Sequence, residues 1–163
     1  MNEQKTVESE IIEVTQKFNS KLMVERLPLP SREVNYKVPL YSELHLLKNF
    51  KSLDRVGIGI HKLGSWKQTI EESMGKEEFF TMYRIDTKPT RINAKITSQI
   101  FTYYEIFYGV NFKFKVTYNY SFRIFDSLEF LENISQYKEK YTFSELYKHI
   151  EYEINAHFLS FIS

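Results

Sequence analysis

Four histidines, His45, His61, His149 and His157, are the side chains best suited to proton transfer or metal ligation near neutral pH. Glu145, His149, Glu153 and His157 recur every four residues. On a helix, neighbours at that spacing share a face and a pair could grip one metal ion. A four-residue step overshoots one turn by about 40°, however, so the outer members diverge. Zinc needs three or four convergent ligands, and the pattern reads as a solvated stripe beside an apolar face. Nucleophilic catalysis needs a serine or threonine beside a histidine and an orienting acid. Serines are plentiful, but none sits in a strained Gly-x-Ser-x-Gly turn. The acidic pairs Glu71–Glu72 and Glu77–Glu78 lie in hydrophilic stretches, where nothing supplies the burial or forced proximity that raises a carboxylate pKa. Val56-Gly-Ile-Gly-Ile60 offers a strand face free of side chains, open to a ligand or another backbone. It lacks the Gly-Lys-Ser/Thr ending of a phosphate loop and the glycine spacing of a dinucleotide turn. The chain contains no cysteine, which removes thiol catalysis, disulfides and zinc–thiolate sites. The expectation is a protein that is not an enzyme, with no catalytic residue, no metal and no cofactor.

Charge narrows the partners. Twenty-two basic residues against 21 acidic leave a net charge of +1, which gives no footprint for duplex nucleic acid or an anionic membrane. No stretch approaches the roughly 18 apolar residues of a membrane helix, and the polar start Met-Asn-Glu-Gln-Lys-Thr-Val-Glu carries no secretory signal. The expected setting is cytoplasmic, with membrane contact peripheral at most. The expected partners are other protein subunits, copies of this chain among them, and no nucleic acid.

The elements that must position any site follow from period. Phe112, Phe114, Val116, Tyr118, Tyr120, Phe122 and Ile124 alternate with Lys113, Lys115, Thr117, Asn119, Ser121 and Arg123. Only a strand separates such sets, so one ribbon with a dry and a wet face is predicted over 112–124. Further strands are predicted at Val56–Ile60, Phe79–Ile85 and Ile92–Ile100. Phe101–Tyr108 reads as a strand buried on both faces or as the approach to a turn at Gly109. Short turns between them imply a largely antiparallel sheet. Helical spacing of Val7, Ile11, Val14, Phe18 and Leu22 predicts an amphipathic helix over about 4–24, ended by Leu27-Pro-Leu-Pro-Ser31. Ser42–Phe50 is predicted as a short helix burying Leu44, Leu47 and Phe50, and Ser65-Trp-Lys-Gln68 as the capping box of another, closed by Gly75. Asp126-Ser-Leu-Glu129 and Thr142-Phe-Ser-Glu145 open two C-terminal helices whose apolar stripes cover the dry face.

Laid out this way, Tyr83-Arg-Ile-Asp-Thr-Lys-Pro-Thr, the turn near Gly109, the alternating run ending Tyr120-Ser-Phe-Arg-Ile-Phe-Asp126, and Phe130-Leu-Glu-Asn-Ile resemble the stomatin/prohibitin/flotillin (SPFH, or band 7) domain over residues 80–160. Ser127 stands where that family usually has proline. The resemblance implies a non-enzymatic domain that packs side by side into rings or scaffolds, often at membranes, with no catalytic residues to carry over.

The fold expected is α+β: a mostly antiparallel sheet of four to five strands, two C-terminal helices on one face, and an N-terminal helix. Residues 1–26 form the helical arm, 27–39 a proline-containing linker and 40–163 a single domain. The expected role is structural, a subunit or scaffold in a larger complex of the SPFH, phage-like or secretion-machine kind. The alternative is a small binding or immunity-type protein that blocks one partner one-to-one. Expected partner contacts are Val7, Ile11, Val14 and Phe18 on the helix stripe and Lys113, Lys115 and Arg123 on the wet face.

Overall fold

The computed structural model describes residues 11–13, 22–30, 35–92, 99–116 and 120–162. In order come β1 (Ile11–Glu13), β2 (Leu22–Leu27), β3 (Asn35–Val38), β4 (Ser42–Lys48), β5 (Lys51–Val56), β6 (Gly59–Lys62), α1 (Gly64–Glu72) and β7 (Phe80–Asp86). There follow β8 (Thr90–Ile92), β9 (Gln99–Glu105), β10 (Val110–Val116), β11 (Tyr120–Phe122), α2 (Ser127–Glu129) running into a π-helical turn at Phe130–Ile134, β12 (Lys140–Thr142) and α3 (Phe143–Ile162). The fold is α+β. Contacts divide it into two compact units, Met1–Lys88 with Ile124–Phe143, and Pro89–Arg123 with Ser144–Ser163. Among the described residues no helix is long and apolar enough to cross a membrane.

The first unit is built on a five-stranded antiparallel sheet ordered β12-β2-β7-β4-β5. Its centre is β7, where Phe80 through Ile85 are all buried, so both faces are covered. Alternation sends Phe80 and Met82 to one side, where they join Leu44, Leu46, Tyr36, Val38, Leu63 and Trp66 in one apolar cluster. Burying each such side chain stabilises by about 1.5–3 kcal/mol. The small sheet β1-β3-β6 and α1 supply that cover, and Trp66 donates its Nε1–H to Asp54 Oδ2 at 2.7 Å, tying α1 to β5. Tyr83 points to the other side, where its hydroxyl donates to the Tyr137 carbonyl at 2.8 Å. On that side α2 and its π-helical extension lie against the sheet, with Ser127, Leu131 and Ser135 buried. Arg84 is buried beside its strand neighbour Glu25, at 3.6 Å.

Three expectations are corrected. The N-terminal helix is absent from the described part of 4–24: Ile11–Glu13 pairs in parallel with Asn35–Lys37, and Leu22–Leu27 is a strand between β12 and β7. Leu22-Met-Val-Glu-Arg-Leu therefore belongs to the body of the sheet rather than to an arm. Sheet pairing overrides the weak helical spacing, which β-branched residues at 11, 12 and 24 did not favour. Ser42–Phe50 is likewise not a helix. The three-residue spacing of Leu44 and Leu47 reads as helical, but pairing with both β5 and β7 makes a strand, on which the two leucines point to opposite faces and are both buried. Finally, the strand predicted over 112–124 ends at Phe122: Phe112–Val116 belongs to β10 and pairs with β9, Tyr120–Phe122 pairs with β8 in another two-stranded sheet, Arg123 and Ile124 are outside any strand, and residues 117–119 lie outside the described residues.

The β4–β5 turn carries left-handed backbone at Asn49 (φ 52°) and Phe50 (φ 61°). Asn49 suits the position; Phe50 does not. Asn49 holds the turn by donating its N–H to the Phe79 carbonyl and accepting the Phe79 N–H on Oδ1. The Phe50 ring lies 5.2 Å from Phe79 and 4.8 Å from Tyr137.

Within the second unit, β9 and β10 form a hairpin whose register runs from Glu105 opposite Val110 to Gln99 opposite Val116, closed by a turn in which Gly109 takes φ 61°. The turn expected near Gly109 is present, as is helix α3 from Phe143.

Candidate functional site

The closest meeting of chemically capable groups is one that the sequence did not suggest. Glu43 and His45, two apart on β4, point to the same side of the sheet, and Ser127 at the first position of α2 closes on them. Ser127 Oγ donates to Glu43 Oε2 at 2.5 Å; His45 Nε2 lies 2.9 Å from that same oxygen and 2.9 Å from Ser127 Oγ. Facing a carboxylate, Nε2 must carry the proton, which leaves Nδ1 a buried acceptor with no hydrogen-bond partner among the described residues. Burial holds the His45 pKa below its ordinary value, against the raising influence of the Glu43 hydrogen bond and charge; Arg55 adds to the lowering and Asp126 opposes it. Burial pushes the Glu43 carboxyl up, but the hydrogen bonds from Ser127 and His45 outweigh it and bring it below the ordinary carboxylate value.

The residue types are those of a serine hydrolase, but the geometry is not. A triad places serine on one imidazole nitrogen and the acid on the other. Here both sit on Nε2, and Ser127 and His45 are buried. The cluster fastens the start of α2 to β4. Asp126 adds to the fastening, its Oδ1 accepting the amides of Leu128 and Glu129 at 3.0 and 2.9 Å.

The other sequence-derived candidates separate in space or in kind. The strand predicted over Val56–Ile60 is interrupted, β5 ending at Val56 and β6 beginning at Gly59, and the space beside Gly59 is taken by the chain itself: His61 Nε2 donates to the Gly57 carbonyl at 2.7 Å and lies 3.3 Å from the place a Gly59 Cβ would take. Among the described residues no three His, Asp or Glu side chains converge as metal ligands, and His149 and His157 are exposed on α3. Val7, Val14 and Phe18 lie outside the described residues, while Ile11 falls in β1. Lys113 is exposed on β10 and Lys115 lies two positions on in the same strand, whereas Arg123 is exposed beyond the end of β11, so the three do not share one strand face.

The surface that stands out is the β9–β10 hairpin. Around its turn, Ile106 is 82% exposed, Phe107 93% and Tyr108 81%, with Tyr104, Val110 and Phe112 exposed beside them. Phe112, expected on a dry face, is 52% exposed. Six large apolar or aromatic side chains exposed within nine residues, on both faces of the hairpin and around its turn, are the kind of surface that marks an interaction site. The sequence held the clue: an almost uncharged aromatic run leading into a Gly-containing turn must surface, because turns do. Of the two expectations for Phe101–Tyr108, a strand buried on both faces or the approach to a turn, the second is the one that leads to this surface. No family model, curated protein or solved structure matches this chain.

Proposed function

We propose that this protein is a non-enzymatic assembly component that works by docking on protein subunits, its own copies among them. The single observation that carries this reading is the exposed Tyr104–Phe112 patch on a two-stranded hairpin. Leaving so much aromatic surface in water lowers solubility, and burial against another subunit recovers it. The stomatin-like phrase Tyr120–Asp126 fits the same role. A one-to-one blocker of a single partner is the second reading, favoured by the concentration of the patch at one hairpin tip.

Size-exclusion chromatography with light scattering, paired with pulldown from the native extract, tests both. Self-association or a stable multi-subunit complex, weakened by Phe107→Ser with Tyr108→Ser, is the expected result. A monomer that captures one partner in equimolar amount supports the blocker. A monomer with no partner, at all concentrations, defeats the proposal.

A further inference from the structure

We infer that residues 126–135, α2 with its π-helical turn, form an acid-released latch: a proton added to His45 frees the Ser127 end from β4 while the other end stays fastened. The inference goes beyond the assembly reading and uses no residue of the β9–β10 hairpin. The two ends of the segment are held differently. Just past the far end, the Tyr137 carbonyl accepts the Tyr83 hydroxyl at 2.8 Å, the Tyr137 hydroxyl donates to the Phe50 carbonyl at 3.0 Å, and the Tyr137 ring lies 4.8 Å from that of Phe50. Burial pushes both tyrosines above their ordinary pKa, so acid leaves these contacts unchanged. At the near end, the Ser127 hydroxyl meets Glu43 and His45, and one of those two titrates close to neutral pH.

The near end fits a neutral imidazole. Glu43 Oε2 already takes two donors, the Ser127 hydroxyl and His45 Nε2–H. The proton that makes imidazolium therefore goes to Nδ1, which is buried with no hydrogen-bond partner among the described residues. A buried N–H without an acceptor is costly, and a buried charge more so. From the described elements, the groups around the ring are Glu43 on β4, Tyr83 opposite on β7, Arg55 opposite on β5, and Asp126 with Ser127 at the start of α2. Burial, assisted by Arg55 and opposed by Glu43 and Asp126, disfavours the charged ring. Lifting α2 away lets water accept the new N–H. The open form thus binds the proton more readily than the closed one, and acid favours opening. The freed segment carries Ser127, Leu131 and Ser135, all buried when it is closed. It also begins two residues after the chain re-enters the first unit at Ile124.

Amide hydrogen exchange of the full chain, followed by NMR and corrected for the pH dependence of chemical exchange, tests the latch. One group of reporters is the amides of Leu128, Glu129 and Phe130, all bonded to Asp126. The other is the amides of β4 and β7 with that of Arg26, which donates to the Glu139 carbonyl. The first group should be less protected than the second at every pH, and insensitive to low urea because little surface opens. Its protection should fall about tenfold for each pH unit between about 6.5 and the pKa of His45 in the closed form. In His45→Gln, which keeps a donor for Glu43 but takes up no proton, the first group should still exchange ahead of the second, without that slope. The wild type alone gives a further check: the slope should level off at the titration midpoint of the His45 ring resonances. Groups that exchange together, with one urea dependence, would mean that the segment opens only by global unfolding, and the inference falls. A slope missing from the wild type, retained in His45→Gln, or levelling off away from the His45 midpoint overturns it as well.

Discussion

His45, Glu43 and Ser127 show how burial converts groups with catalytic potential into structural ones. Both titratable members are held below their ordinary pKa values, His45 from near 6.5 and Glu43 from near 4.5. For each, the unfolded chain binds more protons than the folded one as pH falls, so stability declines with acidification. The His45 contribution begins to fade as pH drops below about 6.5 and is spent below its folded pKa; that of Glu43 fades from about 4.5 downward. The urea midpoint should therefore fall between pH 7 and pH 4, and His45→Gln, which keeps a donor for Glu43, should flatten the upper part of the fall. An unaltered pH profile in His45→Gln would show that another group sets it. Ser127→Ala leaves the buried acceptors one donor short, and a loss of about 1–3 kcal/mol is expected from urea unfolding. Ser127→Pro should lose a similar amount although proline suits the first helical position, because the hydroxyl and not the backbone makes the contact.

Two element ends carry measurable stability. Asp126 satisfies two amides at the start of α2, so Asp126→Ala is expected to cost about 1 kcal/mol. The β4–β5 turn poses a sharper question, since Phe50 occupies left-handed backbone that glycine adopts freely. Glycine there would relieve about 1–2 kcal/mol of backbone cost. It would also remove ring contacts with Phe79 and Tyr137, each worth about 0.5–1.5 kcal/mol beyond the area that the ring buries. Area and contacts together exceed the relief, so Phe50→Gly should destabilise by about 1 kcal/mol. Stabilisation in a thermal melt would mean that the rings contribute less than the turn strain costs.

At the scale of the whole molecule, stability and association are carried by different surfaces. The covered sheet holds the first unit together, whereas Ile106, Phe107 and Tyr108 extend into water. Phe107→Ser with Tyr108→Ser should therefore change monomer stability by no more than about 0.5 kcal/mol per site while reducing association. A large loss of monomer stability in calorimetry would place those rings in the fold instead. Met82→Ala, deep in the apolar cluster, should show the converse: a loss of about 2–5 kcal/mol that involves no exposed side chain.

The sequence by itself determined the α+β class, the antiparallel strands, the turn at Gly109, the strand Phe80–Asp86 to within a residue and the helix start at Asp126. Each of these is written in local terms: a period of two, a glycine free of Cβ, a carboxylate beside unpaired amides. Only the tertiary structure decided which strands are central. Period-two alternation in 112–124 reports that a chain segment is extended, but not whether its apolar side meets a neighbour. Conversely, Ser42–Lys48 is buried almost throughout and Leu22–Leu27 buries two successive residues, Met23 and Val24, so neither shows the alternation that would reveal a strand. The Glu43–His45–Ser127 cluster was beyond the sequence for the same reason: its members lie 82 and 84 residues apart along the chain, and only the packing of α2 on β4 brings one hydroxyl to both.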